Sequence, residues 1–453
     1  MKLRGKVAIL FAVGAAACAS DPPPAAAHPD RPNFVVILAD DMGLGDLGPD
    51  TPNLHHMAAQ GMTLRDFQVA PVCTPTRAML LTGCQPVRVG LGHRVLFPFS
   101  TTGLHGDETT IAEALAPLGY RSACIGKWHL GHHAGFLPPR QGFDEWFGVP
   151  YSNDMDGYYY AARDFQAPPL PLHHNDAVIE QAPDQALLTR RFTDQAIEFV
   201  RGNRNRPFFL YLAHVMPHQP IAASAAFQGR SRRGLYGDAI AELDDGVGRI
   251  LAELAALGLE DDTLVLFLSD NGPWRDASRG GLRGKKNSTW EGGTRVPAIL
   301  RWPGRIPAGT AQDALQSGAD LLPTFAALAG AALPAERVLD GRDAAPLWLD
   351  PAADWPQPRP LPSYRDDRLQ AVREGRWKLH GFRPEWAPDS SPASAAPLLY
   401  DLRVDPGETT DLATVEPAVV ARLLALAARF RADLGDAATG AKGGGRRPVG
   451  TLD

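Results

Sequence analysis

Apolar runs of six or seven residues recur along this chain, each ending abruptly in polar or charged residues. Asn33-Phe34-Val35-Val36-Ile37-Leu38-Ala39 lacks the alternation of a half-exposed strand, so it predicts a strand buried on both faces. Thr263 to Ser269 and Pro207 to Ala213 repeat the pattern, and Arg121 to Gly126 and Val296 to Pro303 read as further strands. Helical periodicity lies between them. Glu108 to Gly119, Arg190 to Arg201 and Asp320 to Ala329 read as helices. Ile240, Leu243, Val247, Ile250 and Leu251 mark the core face of a helix that starts near Gly234. Buried strands separated by helices predict an α/β domain on a mostly parallel sheet.

Both ends of the chain read differently. Met1 to Ser20 has a basic start, an apolar core of about a dozen residues and small residues at its end, the pattern of a secretory signal and too short to span a membrane. Cleavage after Ala19 gives a signal peptide of residues 1–19. Cleavage before Cys18 instead gives a lipid anchor on that cysteine. The expected location is periplasmic or membrane-anchored. Residues 20–32, rich in Pro and Ala, read as a tether. A Pro-rich stretch from Asp350 to Pro362 divides a main domain, 33–345, from a C-terminal subdomain, 346–435. Within the latter, Leu369 to Arg373, Trp377 to His380 and Leu398 to Leu402 predict a small antiparallel sheet, and Val415 to Leu434 a helix. Residues 436–453 read as a disordered tail.

Composition narrows the function. A formal charge of -6 with scattered basic residues argues against nucleic acid as a partner. Of four cysteines, Cys18 falls in the signal, and the odd remainder, Cys73, Cys84 and Cys124, does not read as a disulfide framework, although Cys84 and Cys124 could pair.

The chemistry gathers where the apolar runs stop. Asp40-Asp41 follows the first run and Asp270-Asn271 the run from Thr263. Adjacent carboxylates repel each other unless water solvates both or a cation lies between them. Two strands that deliver hard oxygen ligands at their carboxyl ends favour the cation, with calcium first and magnesium second. Cys73 stands two residues before Pro75, which suits a first helical turn, so the cysteine is expected just ahead of a helix N-terminus that favours an anion. Lys127 and His129 would share one side after a strand. His214 and His218 follow another strand, Lys285 and Lys286 lie in a Gly-rich loop, Ser152 lies in a loop, and Tyr151, Tyr158, Tyr159 and Tyr160 could form an aromatic wall.

Cys73-Thr74-Pro75-Thr76-Arg77 with Leu81-Thr82-Gly83, and Gly126-Lys127-Trp128-His129-Leu130-Gly131, resemble the two motifs of the type I, formylglycine-dependent sulfatases. The loops from Phe136 to Asp154 are similar to the arylsulfatase A and N-acetylgalactosamine-6-sulfatase branch. The resemblance implies a large mixed, mostly parallel sheet of the alkaline phosphatase-like kind with a small C-terminal antiparallel sheet. It implies that a maturation enzyme oxidises Cys73 to formylglycine, whose hydrate attacks the sulfur of a sulfated small molecule or glycan. By the same resemblance Asp40, Asp41, Asp270 and Asn271 bind the metal, Arg77 holds the nucleophile, and Lys127, Lys286 and Ser152 bind sulfate. His218, with Lys286, protonates the leaving group, and His129 removes the second hydroxyl proton so that sulfate departs. His214 is expected to be structural and Lys285 expendable. One departure stands out: Cys84 occupies a position that is commonly basic. The alternatives are a phosphodiesterase or phosphonate hydrolase of the same superfamily, or an inactive exported glycan-binding lipoprotein.

Overall fold

The computed structural model describes residues 31–156, 167–275, 277–355, 359–381 and 396–452. The proposed signal, most of the tether and Tyr158 to Tyr160 lie outside these residues. The apolar runs become the middle of a ten-stranded sheet. In spatial order its strands are Thr310–Gln312, Met62–Leu64, Ala298–Arg301, Thr263–Ser269, Asn33–Ala39, Phe208–Ala213, Arg121–Lys127, Glu145–Val149, Pro171–His174 and Ala177–Gln181. The five strands from Thr263–Ser269 to Glu145–Val149 run parallel, and antiparallel strands extend the sheet on both sides.

Continuous apolarity is explained by two covered faces. Phe34, Val36 and Leu38 pack on one side with the helices Cys73–Thr82 and Leu321–Ala329. Val35, Ile37 and Ala39 pack on the other with Leu188–Gly202 and Gly234–Ala256. Each fully buried large side chain contributes about 1.5–3 kcal/mol of transfer free energy, so neither face tolerates a polar replacement without cost.

The C-terminal strands Pro360–Arg365, Arg368–Glu374, Trp377–His380 and Leu398–Asp401 form an antiparallel sheet. Pro360 and Pro362 sit on its edge strand, where a missing N–H is tolerated. The helix Pro417–Leu434 closes it by packing Val419, Leu423 and Leu426 against Leu369, Val372 and Leu379.

One expectation is corrected and one open question answered. The tail is ordered from 436 to 452: Gly450–Thr451 pairs with Thr102–Gly103, and the Arg447 guanidinium donates to both Glu108 carboxylate oxygens at 2.7 Å. Its Gly-rich, basic composition read as disorder because its acidic partners, Glu108 for Arg447 and Asp367 for Arg446, are 339 and 79 residues away in sequence. Cys84 and Cys124 are both free and buried, so they do not pair. Arg447 also lies 3.1 Å from Cys84 Sγ, bringing a guanidinium from the tail to the position where a basic residue was expected. Among the described residues, no helix is long and apolar enough to cross a membrane.

Candidate active site

Four neighbouring parallel strands end at one place. Ala39 pairs with Ser269 and Leu38 with Ala213, so Asp40-Asp41, Asp270-Asn271 and the segment leading to His218 emerge side by side, and Lys127 closes the adjacent strand. That is the carboxyl edge of the sheet, where open α/β folds bind ligands. The Cys73–Thr82 helix approaches with its N-terminus, with Cys73 as its first helical residue, one step further inside than expected.

All eleven sequence-derived site residues meet here and are buried. Cys73 Sγ lies 3.5 Å from Asp40 Oδ1 and 3.4 Å from Asn271 Oδ1. Arg77 donates to Asp270 at 2.8 Å and Asp40 at 3.3 Å, and is fixed by the Lys127 carbonyl at 2.5 Å. Lys127 Nζ is 2.5 Å from Asp40 and 3.2 Å from Ser152 Oγ. Lys286 Nζ reaches Asp41 Oδ1 at 2.7 Å, and Asn271 Nδ2 donates to the same oxygen at 2.7 Å. Asp41, His129 and Asn287 all have left-handed backbones, at φ 72°, 62° and 72°, a strain that non-glycine residues accept mainly where function requires it.

The electrostatics separate the groups. Burial alone would raise the Asp40 carboxyl, but Lys127, His218 and Arg77 hold it well below the usual range. Burial, then Asp40, raises Asp270 instead. Burial would lower both lysines, yet Asp40 keeps Lys127 and Asp41 keeps Lys286 above the ordinary range. Burial, followed by Asp270 and Asp40, pushes the Cys73 thiol far up, so an unmodified cysteine here is a protonated, weak nucleophile.

The histidines have assigned faces. His129 Nε2 lies 2.9 Å from the Leu96 carbonyl, which only accepts, so this nitrogen carries the proton. Its Nδ1 is left as an acceptor without a partner among the described residues, and burial, then Lys127 and Arg77, keep the ring neutral. His218 Nδ1 donates to the Gln219 carbonyl at 2.6 Å, turning Nε2 toward Asp41 Oδ2 at 3.7 Å. His214 is buried away from the cluster beside Phe192, as expected of a structural residue. Lys285 lies over the Trp274 ring, and Tyr151 packs against His132.

A cavity of about 210 Å3 opens onto Cys73, His129, Ser152, His218 and Lys286. Its wall includes Asp154, from a loop expected to lead to the site, and Phe97, Trp274 and Arg275, which sequence reasoning missed because no motif marks them. Thr74 was missed too: its hydroxyl donates to the His129 carbonyl and accepts from the Leu96 N–H, tying the first turn of the helix to two loops.

The donor set fits a hard divalent cation. Asp40, Asp41 and Asp270 carry three negative charges, balanced by Arg77, Lys127 and Lys286, so an arriving sulfate ester would add uncompensated charge in a buried place. Asp40, Asp41, Cys73 and His218 present ligand atoms within 4.8 Å of one another, with the oxygens of Asp270 and Asn271 beside them.

Comparison with known proteins agrees with this geometry. Residues 32–331 match the family model "Sulfatase", and residues 357–444 match "C-terminal region of aryl-sulfatase". The chain is similar to human arylsulfatase A, with 42% identity over 84% of this chain and 83% of the relative. To N-acetylgalactosamine-6-sulfatase of Canis lupus familiaris it is 40% identical over 79% of this chain and 73% of the relative. Among solved structures, the PsFucS1 sulfatase from Pseudoalteromonas sp. superposes with a TM-score of 0.79 at 27% identity, covering 88% of this chain and 91% of that one. Ps i-CgsB in complex with k-i-k-neocarrahexaose gives 0.77 at 28% identity, covering 88% and 92%. With a family model over most of its length and relatives at 40% identity or more over most of both chains, the chain belongs to the sulfatases, hydrolases of sulfate esters.

Proposed function

We propose that this enzyme removes sulfate from sulfated sugars or glycolipid-like molecules, using residue 73 in its formylglycine form. The observation that carries the reading is the convergence of three buried cations, Arg77, Lys127 and Lys286, on the carboxylates around Cys73. A sulfate ester is an anion with a poor leaving group, so its hydrolysis needs charge neutralisation at the nonbridging oxygens and a proton for the departing oxygen.

When present, the hydrated aldehyde at residue 73 supplies two hydroxyls, and a divalent cation, calcium before magnesium, supplies positive charge beside them. Asp40, Asp41, Asp270 and Asn271 would hold the cation. Lys127 and Lys286 neutralise the sulfate oxygens, and Ser152 donates its hydroxyl to one of them. Arg77, locked by two carboxylates and a carbonyl, keeps the side chain of residue 73 in line. His218 delivers a proton from Nε2 to the departing alcohol, and Lys286 assists. His129 receives the second hydroxyl proton at Nδ1, the nitrogen left free by its bond to Leu96.

The ligand in the Ps i-CgsB complex, k-i-k-neocarrahexaose, supports a glycan substrate here. The amino-terminal pattern supports export to the periplasm or a lipid anchor at Cys18, and the cysteine at 73 requires a formylglycine-generating maturation enzyme. The reading divides the chain into a catalytic unit, 33–345, and a C-terminal subdomain, 346–435. Parallel kinetics on an aryl sulfate, a monosulfated sugar and an aryl phosphate test the assignment. Sulfate esters should be turned over far faster than the phosphate, and a preference for phosphate would overturn it.

A further inference from the structure

The loop that carries Lys286 is held from outside the catalytic sheet. Backbone bonds tie it to the main domain: Lys286 N–H donates to the Pro273 carbonyl, Asn287 N–H to the Pro71 carbonyl at 2.9 Å, and Gly272 N–H to the Gly293 carbonyl at 2.9 Å. A side chain at 272 would collide with the Gly292 carbonyl, so the two loops are pressed together. From the same domain Gln68 also donates to Glu291 at 2.9 Å and Asp41 holds the Lys286 ammonium at 2.7 Å, and a second set of contacts leads to the C-terminal subdomain. Arg283 donates to Tyr400 Oη and the Glu408 carbonyl, Asn287 accepts from Arg365 at 3.0 Å, and Thr289 donates to Gln370 at 3.1 Å. The Trp290 ring lies between Arg283, at 3.8 Å, and His380, at 3.9 Å.

Glu408 joins these contacts. Its carboxylate accepts the Glu291 N–H at 2.6 Å, opens toward His380 Nε2 at 2.8 Å and pairs with Lys378 at 3.2 Å. Lys378 in turn pairs with Glu291 at 2.8 Å. Glu408, Glu291 and Lys378 are all shielded from solvent, and Glu408 adopts a left-handed backbone at φ 53° to reach in. Strain of this kind persists only where the surroundings enforce it. Burial would raise this carboxyl, but Lys378 and His380 hold it below the usual range, so it stays charged. None of these groups touches the cavity, and the proposed mechanism uses none of them.

We infer that Glu408 is a positioning residue for Lys286: through the Glu291 N–H and the Trp290 stack, the C-terminal subdomain sets where the Lys286 ammonium meets the sulfate. This rests on the assignment of Lys286 to sulfate binding. Lys286 lies five residues before Glu291, and a misplacement of about 1 Å at a positioned group can cost on the order of 100-fold in rate.

The test is a double-mutant cycle of E408Q and Lys286→Ala in full-length enzyme with matched formylglycine content at residue 73. It reads kcat and KM for an aryl sulfate and inhibition by inorganic sulfate. E408Q alone should lower kcat/KM about tenfold and weaken sulfate inhibition to a similar extent, within the range a positioning contact supplies. In the Lys286→Ala background it should cost less than about twofold, because coupled sites are not additive. Equal losses in both backgrounds would overturn the inference, as would a lowered Tm with unchanged sulfate inhibition. If Lys286→Ala itself leaves kcat/KM and sulfate inhibition unchanged, the assignment of Lys286 falls first, and this inference with it. Should E408Q fail to fold, Arg365→Met removes the bond to Asn287 from the subdomain's edge and is read by the same cycle.

Discussion

Lys127 and Asp40 meet at 2.5 Å with both side chains wholly shielded from solvent, and Arg77 bonds the same carboxylate oxygen at 3.3 Å. Removing one partner of such a pair strands a charge without water. Lys127→Ala is expected to destabilise the fold by about 3–5 kcal/mol and to depress kcat/KM as well. Thermal unfolding with parallel kinetics checks both. An unchanged Tm would show that Asp40 is not under the electrostatic load described.

Cys73→Ser keeps an oxygen nucleophile but has no second hydroxyl from which His129 can take a proton. Turnover should fall by about 10²–10⁴-fold, the usual worth of a general acid–base step. A burst of alcohol release followed by a stall is the expected time course, and steady turnover at the wild-type rate would refute this role for the second hydroxyl.

Chelation tests the oxygen cluster. Asp40, Asp41 and Asp270 lie together in the protein interior, so a bound divalent cation should stabilise the fold by about 2.7 kcal/mol at 100 times its Kd. EGTA should therefore lower both Tm and sulfate release, with calcium restoring them better than magnesium. Full activity after exhaustive chelation would remove the cation from the account.

His214 should make stability depend on pH. Burial lowers its pKa from 6.5 to about 4, and neither ring nitrogen has a hydrogen-bond partner among the described residues. Between those values the unfolded chain binds the proton and the folded chain does not. The contribution is thus fully present above 6.5 and lost as pH falls toward 4, amounting to about 3 kcal/mol. His214→Leu should flatten that part of the stability profile and leave kcat at neutral pH unchanged. A profile of unchanged steepness would contradict the assignment.

Arg447→Ala removes both bonds to Glu108, which is 3% exposed, and the contact with Cys84. A loss of about 1–3 kcal/mol in urea unfolding is expected from removing these two charge-assisted bonds, which leaves the carboxylate with Arg337 at 3.4 Å. Reintroducing a guanidinium in the double variant C84R/R447A should recover part of it. No loss on Arg447→Ala would return the tail to the dispensable role its composition suggested.

Much of the site was readable because its residues lie at the ends of unmistakable apolar runs. Asp40 and Asp270 each follow a seven-residue strand, and parallel strands buried on both faces carry their own signal. The Cys73 and Lys127 motifs are short and local, and so were legible too. What escaped was set by distant partners. Arg447 looked disordered until Glu108 met it, Thr74 gave no sign of bridging His129 and Leu96, and Glu408 lies 117 residues from the Glu291 N–H it accepts. Trp274 and Phe97 reach the cavity wall from loops whose paths follow no periodic pattern. Pairings of this kind depend on the completed fold and leave no local trace.

The central claim is that residue 73 works as formylglycine. Its most direct test is peptide mass spectrometry of residue 73, in protein made with and without a formylglycine-generating enzyme, alongside aryl sulfate hydrolysis by the same samples. A loss of about 18 Da relative to cysteine is expected, with kcat rising in proportion to the converted fraction. Full turnover by protein that retains the thiol, or none by fully converted protein, would contradict it.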